Sequence, residues 1–160
     1  MKWTPALFRF ALNLYGPYLG AGVKVTHISQ DWREIHVCLR LRWYNQNIKK
    51  VHFGGSLYAM VDPHLMLMLM QILGKGYRVW DSSATIDFIK PGQGKVTCIL
   101  TVSDDDLTQI LKATQDGAKY FHTFSVNVLD QDSDIVAKVK KVLYIKKKQS
   151  QHPNGPDRKG

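Results

Sequence analysis

One carboxylate, Asp62, stands in the most apolar stretch of this 160-residue chain. From Leu57 to Leu73 nearly every position is apolar, and Asp62 is followed at once by Pro63 and His64. Just upstream runs a polar loop that carries Asn47, His52 and the adjacent glycines Gly54 and Gly55. A carboxylate in apolar surroundings, beside irregular backbone, has the chemistry of an acid, base or nucleophile. The same carboxylate can equally be tied up in a structural hydrogen bond, and its residue type leaves both readings open.

The element that must position Asp62 is a helix with no polar face. Such a helix is either wrapped by protein or spans a membrane. Spanning takes about 20 apolar residues with few charges, and Asp62, Pro63 and His64 interrupt this run too early. The expectation is a helix wrapped on all sides, capped at its start by Ser56 and ended by Gly74 and Gly76. Pro63 removes a backbone hydrogen bond, at about 3 kcal/mol for a helix interior, and is predicted to kink the helix and free a carbonyl near Ala59.

The rest of the chain supplies a sheet for that helix. Thr4 and Pro5 open a helix with Leu7, Phe8, Ala11 and Leu14 at helical spacing, stopped by Gly16-Pro17. Strands are predicted at residues 23–29 and 34–43. In the second, Ile35, Val37, Leu39, Leu41 and Trp43 alternate with His36, Cys38, Arg40 and Arg42, so the arginines share the more polar face. Residues 77–89 and 95–102 read as a strand and its returning partner around a turn at 90–94. Ser103 before Asp104, Asp105 and Asp106 marks a helix start, with Leu107, Ile110 and Leu111 as its stripe and Gly117 as its stop. As helix-start residues those three acids point in different directions, which argues against a metal site. Two further strands occupy 119–129 and 135–145. The order predicts an α+β fold, an antiparallel sheet with the buried helix on its concave face. There is no internal repeat. One domain is expected over 1–148, followed by a polar tail at 149–160 expected to be disordered.

The net charge is +9, from 22 Lys and Arg against 13 Asp and Glu. Residues 138–160 hold eight of those basic groups and one acid, Asp157. A basic end can attract an anionic partner or simply be solvated. No nucleic-acid motif or ladder of aromatics accompanies it, so nucleic acid is not an expected partner. Cys38 and Cys98 are far apart in sequence, which suggests neither a zinc motif nor a disulfide framework. Reduced, buried thiols fit a cytoplasmic protein. The first residues lack the core of a signal peptide.

Two motifs in this order resemble a known family. His52-Phe53-Gly54-Gly55 at the helix mouth is similar to the His-Gly-Gly motif of PaaI-like hotdog thioesterases. The run from Thr85 to Gly94 is similar to the strand and hairpin after the helix in those enzymes. The string from His52 to Pro63 is close to a poorly characterised subgroup of the superfamily. The resemblance covers about residues 1–146 and implies a hotdog fold, in which a curved antiparallel sheet of about six strands wraps one long central helix.

With the glycines superposed, the family's acid falls on Asp62 and its upstream amide on Asn47. The resemblance then implies hydrolysis of an acyl thioester, carried by CoA or an acyl carrier protein. The N–H of Gly54 or Gly55 would hold the developing oxyanion. Asp62 would activate water or attack the carbonyl, in the facing subunit's site. Asn47 would orient the carbonyl or the water, and His52 would be a positioning residue. Lys90, Pro91 and Gly92 would border the CoA, with Lys90 and the late lysines near its phosphates. No cofactor is implied, and the assembly would be a homodimer or a dimer of dimers. Three departures stand close to the site: Phe53 separates the histidine from the glycines, Pro63 follows the acid, and Met66 replaces a hydroxyl residue found in some relatives. They keep a non-catalytic acyl-CoA or carrier-protein binding module as the alternative. The methionines Met60, Met66, Met68 and Met70 fit either plain core or a pliant acyl pocket.

Overall fold

The computed structural model describes residues 3–148; the expected tail lies outside the described residues. Two N-terminal helices, α1 (Pro5–Asn13) and α2 (Gly16–Ala21), lead into strands β1 (Val23–Ile28) and β2 (Glu34–Arg40). Helices α3 (Gly54–Ala59) and α4 (His64–Leu73) come next, then β3 (Tyr77–Phe88), β4 (Lys95–Thr101), α5 (Asp104–Thr114), β5 (Lys119–Leu129) and β6 (Ile135–Lys147). The six strands form one antiparallel sheet in the order β1-β2-β4-β5-β6-β3.

The strand after the 90–94 turn is not the returning partner of β3. β3 does not pair with β4; it pairs with β6, from Tyr77 opposite Lys147 to Phe88 opposite Ala137. The reason lies in the connection. Leaving β3, Ile89 and Lys90 donate their N–H groups to the Val136 carbonyl, and Lys90 is paired with Asp130 and Asp134 at 2.6 and 2.7 Å. Residues 90–94 therefore cross the ends of β6 and β5 to reach β4. That crossing lays the loop over the mouth of α3.

The central helix is broken, not merely kinked. Residues 60–63 form a turn, with Val61 and Asp62 both donating to the Tyr58 carbonyl at 2.9 and 3.1 Å, and the Asp62–Pro63 peptide is cis. Proline has no N–H to continue the ladder. Ser56 does not cap the start. The helix begins at Gly54 with Phe53 as an N-cap that offers no side-chain bond, and Ser56 is buried inside the first turn. Gly74 ends α4 in the left-handed region, φ 69°. By length and composition the stretch Gly54–Gly76 is apolar enough to cross a membrane. Here Met60, Val61, Leu65, Met68 and Leu69 are fully buried with sheet residues such as Ile35, Leu100, Leu143 and Ile145.

Three smaller expectations also change. Gly16-Pro17 does not end the helical region but opens α2, because proline suits a first helical turn. The buried stripe of α1 is Pro5, Phe8 and Leu12, with Leu7 and Leu14 exposed. β2 stops at Arg40, since Asn45 turns the chain back: its amide donates to the Arg40 carbonyl at 2.9 Å while its oxygen accepts the Arg42 N–H at 2.7 Å. Trp43 is then outside the strand and 84% exposed.

The two edges of the sheet are treated differently. On β1, Asn13 accepts from the Val25 N–H and donates to its carbonyl at 2.8 and 2.9 Å, and Arg9 donates to Thr26 O. On β3, among the described residues, no side-chain hydrogen bond reaches the backbone. An unpaired strand edge is a template for another strand.

Helix α5 starts as predicted. Ser103 accepts from the Asp106 N–H, and Asp106 closes the reciprocal bond to the Ser103 N–H at 2.8 Å. Ser103→Ala is expected to cost about 1 kcal/mol of stability, read as a shift in urea midpoint; an unchanged midpoint would discount the cap. Two of the three acids of this helix start are paired, Asp104 with Arg33 at 2.7 Å and Asp106 with His122 at 2.8 Å.

Candidate active site

Six of the eight residues singled out by sequence line one groove. Asn47, His52, Gly54, Lys90, Pro91 and Gly92 border a cleft of about 440 Å³ at the mouth of α3. The crossing loop and the helix start make this cleft together, so residues 40 positions apart in sequence become neighbours. Gly92 is held close: a Cβ there would meet Val136 at 3.0 Å and His52 at 3.1 Å. Gly54 likewise lies against the Phe88 ring, 2.9 Å from where its Cβ would stand.

His52 is the clasp of this cleft. It is 3% exposed, its backbone N–H donates to Gly92 O at 3.0 Å, and its ring Nε2 donates to Gly94 O at 3.1 Å. A carbonyl can only accept, so Nε2 carries the proton and the buried Nδ1 is bare, with no partner among the described residues. Burial pulls the imidazole below the ordinary histidine range. These features make His52 a neutral group that ties the crossing loop to the helix mouth. Asn47 mainly closes its own turn: its side-chain oxygen accepts from Lys49 N at 2.9 Å and lies 3.4 Å from Val51 N. Lys90 is engaged with Asp130 and Asp134, which raise it above the usual lysine range. It shapes the wall of the cleft more than it offers a free charge.

Asp62 does not line this cleft. It lies in the turn at residues 60–63 that follows α3. Its surroundings are not simply apolar. The ammonium of Lys141 on β6 bonds to Asp62 Oδ1, and Lys141 also reaches Asp81 Oδ1 at 3.1 Å and the Tyr58 hydroxyl at 3.2 Å. Tyr58 in turn donates to the same Asp62 Oδ1 at 3.4 Å. Burial would pull Lys141 down, but bonds to Asp62, Tyr58 and Asp81 and the charge of Asp62 hold it above the ordinary lysine range. Asp81 is pushed up by burial, with Lys141 opposing.

The backbone of Asp62 is also held. Tyr18 donates its hydroxyl proton to the Asp62 carbonyl at 3.0 Å, so that its oxygen accepts from His64 Nε2 at 3.1 Å. His64 is fully buried with a bare Nδ1, and burial pushes its imidazole down to about 3. It is a structural neutral group, held through Nε2 by the Tyr18 hydroxyl.

The methionines divide. Met60 and Met68 are fully buried core. Met66 and Met70 line a second, larger groove of about 900 Å³ with Leu67, Val79 and Trp80, bordered by Lys75, Arg78 and Lys148. Sequence reasoning missed Tyr58, Asp81 and Lys141. By charge alone Lys141 belongs with the basic C-terminal segment. The signal that sets it apart is in β6, where Val139, Lys141, Leu143 and Ile145 fall on one face at period two and all are buried.

Solved structures with the same architecture identify the fold. PA5026 of Pseudomonas aeruginosa superposes with a TM-score of 0.76 at 12% identity, covering 89% of this chain and 95% of that one. The thioesterase HI1161 of Haemophilus influenzae gives 0.67 at 13%, covering 95% and 97%. The PaaI protein of the Escherichia coli phenylacetic acid degradation operon gives 0.60 at 16%, covering 84% and 87%. The fold is the hotdog fold of PaaI-like thioesterases. No curated protein matches the sequence. The family model for a domain of unknown function, DUF4442, matches residues 4–145, and with nearly the whole described chain inside that match, this protein belongs to the DUF4442 family.

Proposed function

We propose that this chain is an acyl-CoA thioesterase that works as a homodimer. The observation that carries the reading is the cleft at the helix mouth. Within a hotdog fold, residues chosen from the sequence for one reaction converge on one groove. The N–H groups of Gly54 and Gly55 open α3, where backbone donors lack intrahelical partners. They would hold the thioester oxygen as it gains charge.

The open edge of β3 supports the dimer. Two copies joined there in antiparallel fashion set the C-terminal end of one β3, with Phe88 and Gly54, against the N-terminal end of the other. The cleft of one protomer then meets the groove of its partner, and that groove carries Met66 and Met70. Asp62 would serve the facing site, activating water or attacking the carbonyl, with the acyl group among the methionines. The carrier would enter past Pro91 and Gly92, with Lys75, Arg78 and Lys148 available to its phosphates. An acyl carrier protein could present the same thioester.

The test is thiol release from short, long and aromatic acyl-CoA esters, together with the sedimentation mass. Release from at least one ester at twice the chain mass is the expected result. Binding of acyl-CoA without release from any ester would replace the enzyme reading with a binding module. A monomer that is fully active would remove the facing-subunit role of Asp62.

A further inference from the structure

Lys141 has no part in the proposed reaction, although it touches the one acid that reaction depends on. Its side chain is 1% exposed in the middle of β6. A buried ammonium persists only with partners, and this one has three: Asp62, Asp81 and Tyr58. The contacts on Asp62 are one-sided. Lys141 and the Tyr58 hydroxyl both use Oδ1. Among the described residues no hydrogen bond reaches Oδ2, and the Asp62 side chain is 38% exposed. One oxygen is anchored and the other is open.

We propose that Lys141 is the positioning residue of this site, anchoring Asp62 through Oδ1, leaving Oδ2 as the reacting oxygen, and resting on Asp81 as its standing counter-ion. The inference rests on the thioesterase reading for the chemistry of Asp62. In that chemistry Oδ2 takes a proton from water, and the resulting hydroxide adds to the thioester carbon. Collapse breaks the carbon–sulfur bond, and the proton returns to the departing thiolate, giving acid and thiol. While Asp62 is protonated its attraction for the ammonium weakens. Asp81, 3.1 Å away, keeps Lys141 paired through that interval. The charged and titratable groups that face Asp62 are Tyr58 from α3, Tyr18 from α2, His64 from α4, Asp81 from β3 and Lys141 from β6.

Two substitutions pull in opposite directions. Lys141→Met removes the anchor: kcat is expected to fall about a hundredfold, the scale of a misplaced reacting group, with KM little changed and the acid limb of the kcat/KM profile at higher pH. Asp81→Asn leaves the ammonium wholly to Asp62 and moves that limb to lower pH. A lysine with only a structural role lowers stability without opposed displacements, so limbs that stay fixed or move together overturn the inference.

A second readout needs no turnover. The Asp81 carboxyl, followed by 13C NMR through a pH titration, is expected to titrate higher in Lys141→Met and lower in Asp62→Asn than in the native protein. If Lys141→Met does not fold, the native protein and Asp62→Asn still decide. An Asp81 midpoint indifferent to its neighbours overturns the coupling. Displacement of Asp81 as expected, with no thiol released from any ester by native protein, upholds the anchored cluster and removes the thioesterase reading instead.

Discussion

Replacing Asp62 with asparagine is expected to lower kcat for thiol release by about a thousandfold, within the range that general-base groups contribute. The substitution keeps shape and volume while removing the oxygen that can accept a proton or attack a carbonyl. KM is expected to change little, because the proposed binding surfaces lie elsewhere: the cleft walls at Asn47, His52 and Gly92, and the groove at Met66 and Met70. The variant should still fold. Lys141 keeps the Asp81 carboxylate, and Tyr18 keeps its bond to the residue-62 carbonyl, since that bond is to backbone. Circular dichroism of the variant separates lost chemistry from lost structure. Activity within tenfold of native in a folded variant would move the chemistry away from Asp62.

Stability is expected to drop by about 2 kcal/mol between pH 7 and pH 5 on account of His64 alone. In the folded protein its imidazole is pushed down to about 3 by burial, against an ordinary value of 6.5. Between those values the unfolded chain binds the proton and the folded chain does not. Stability from this group is therefore present above the unfolded value and is lost as pH falls toward the folded one. At pH 5 the unfolded histidine is about 1.5 units below its midpoint, and each unit is worth about 1.4 kcal/mol. Its neighbours modify this. The Asp62 charge favours the protonated ring and Lys141 opposes it, but burial is the largest cause. His52, also lowered by burial, adds in the same direction, whereas Asp81, raised by burial, gains protons in the folded state and opposes it. Urea unfolding at the two pH values measures the total, and His64→Gln isolates the share of His64. The same pH dependence in native and variant would place the effect elsewhere.

Most of the fold is legible in the sequence because hydrophobic periodicity records which face of each element is buried. The six strands, the buried helix and the helix start at Ser103 all appear at their expected places. Glycine and proline mark the interruptions correctly, but the outcome at each is not local. Gly16-Pro17 starts a helix, and Pro63 stands in the turn just before α4 where only a kink is expected, because the conformation beyond each break depends on the packing of the next segment.

The same division runs through the site. Sequence by itself marked the helix mouth, the acid in the buried helix and a turn at 90–94, since each has a residue pattern confined to a dozen neighbours. Pairing could not be read that way. That β3 joins β6, and that residues 90–94 cross over His52, depends on contacts between segments some 40 or more positions apart. Lys141 shows the limit most directly. Its alternation placed it on an apolar face, but only the tertiary structure brings Asp62 and Asp81 to it from two other elements. A buried charge is decided by its partners, and those partners are assembled by the fold.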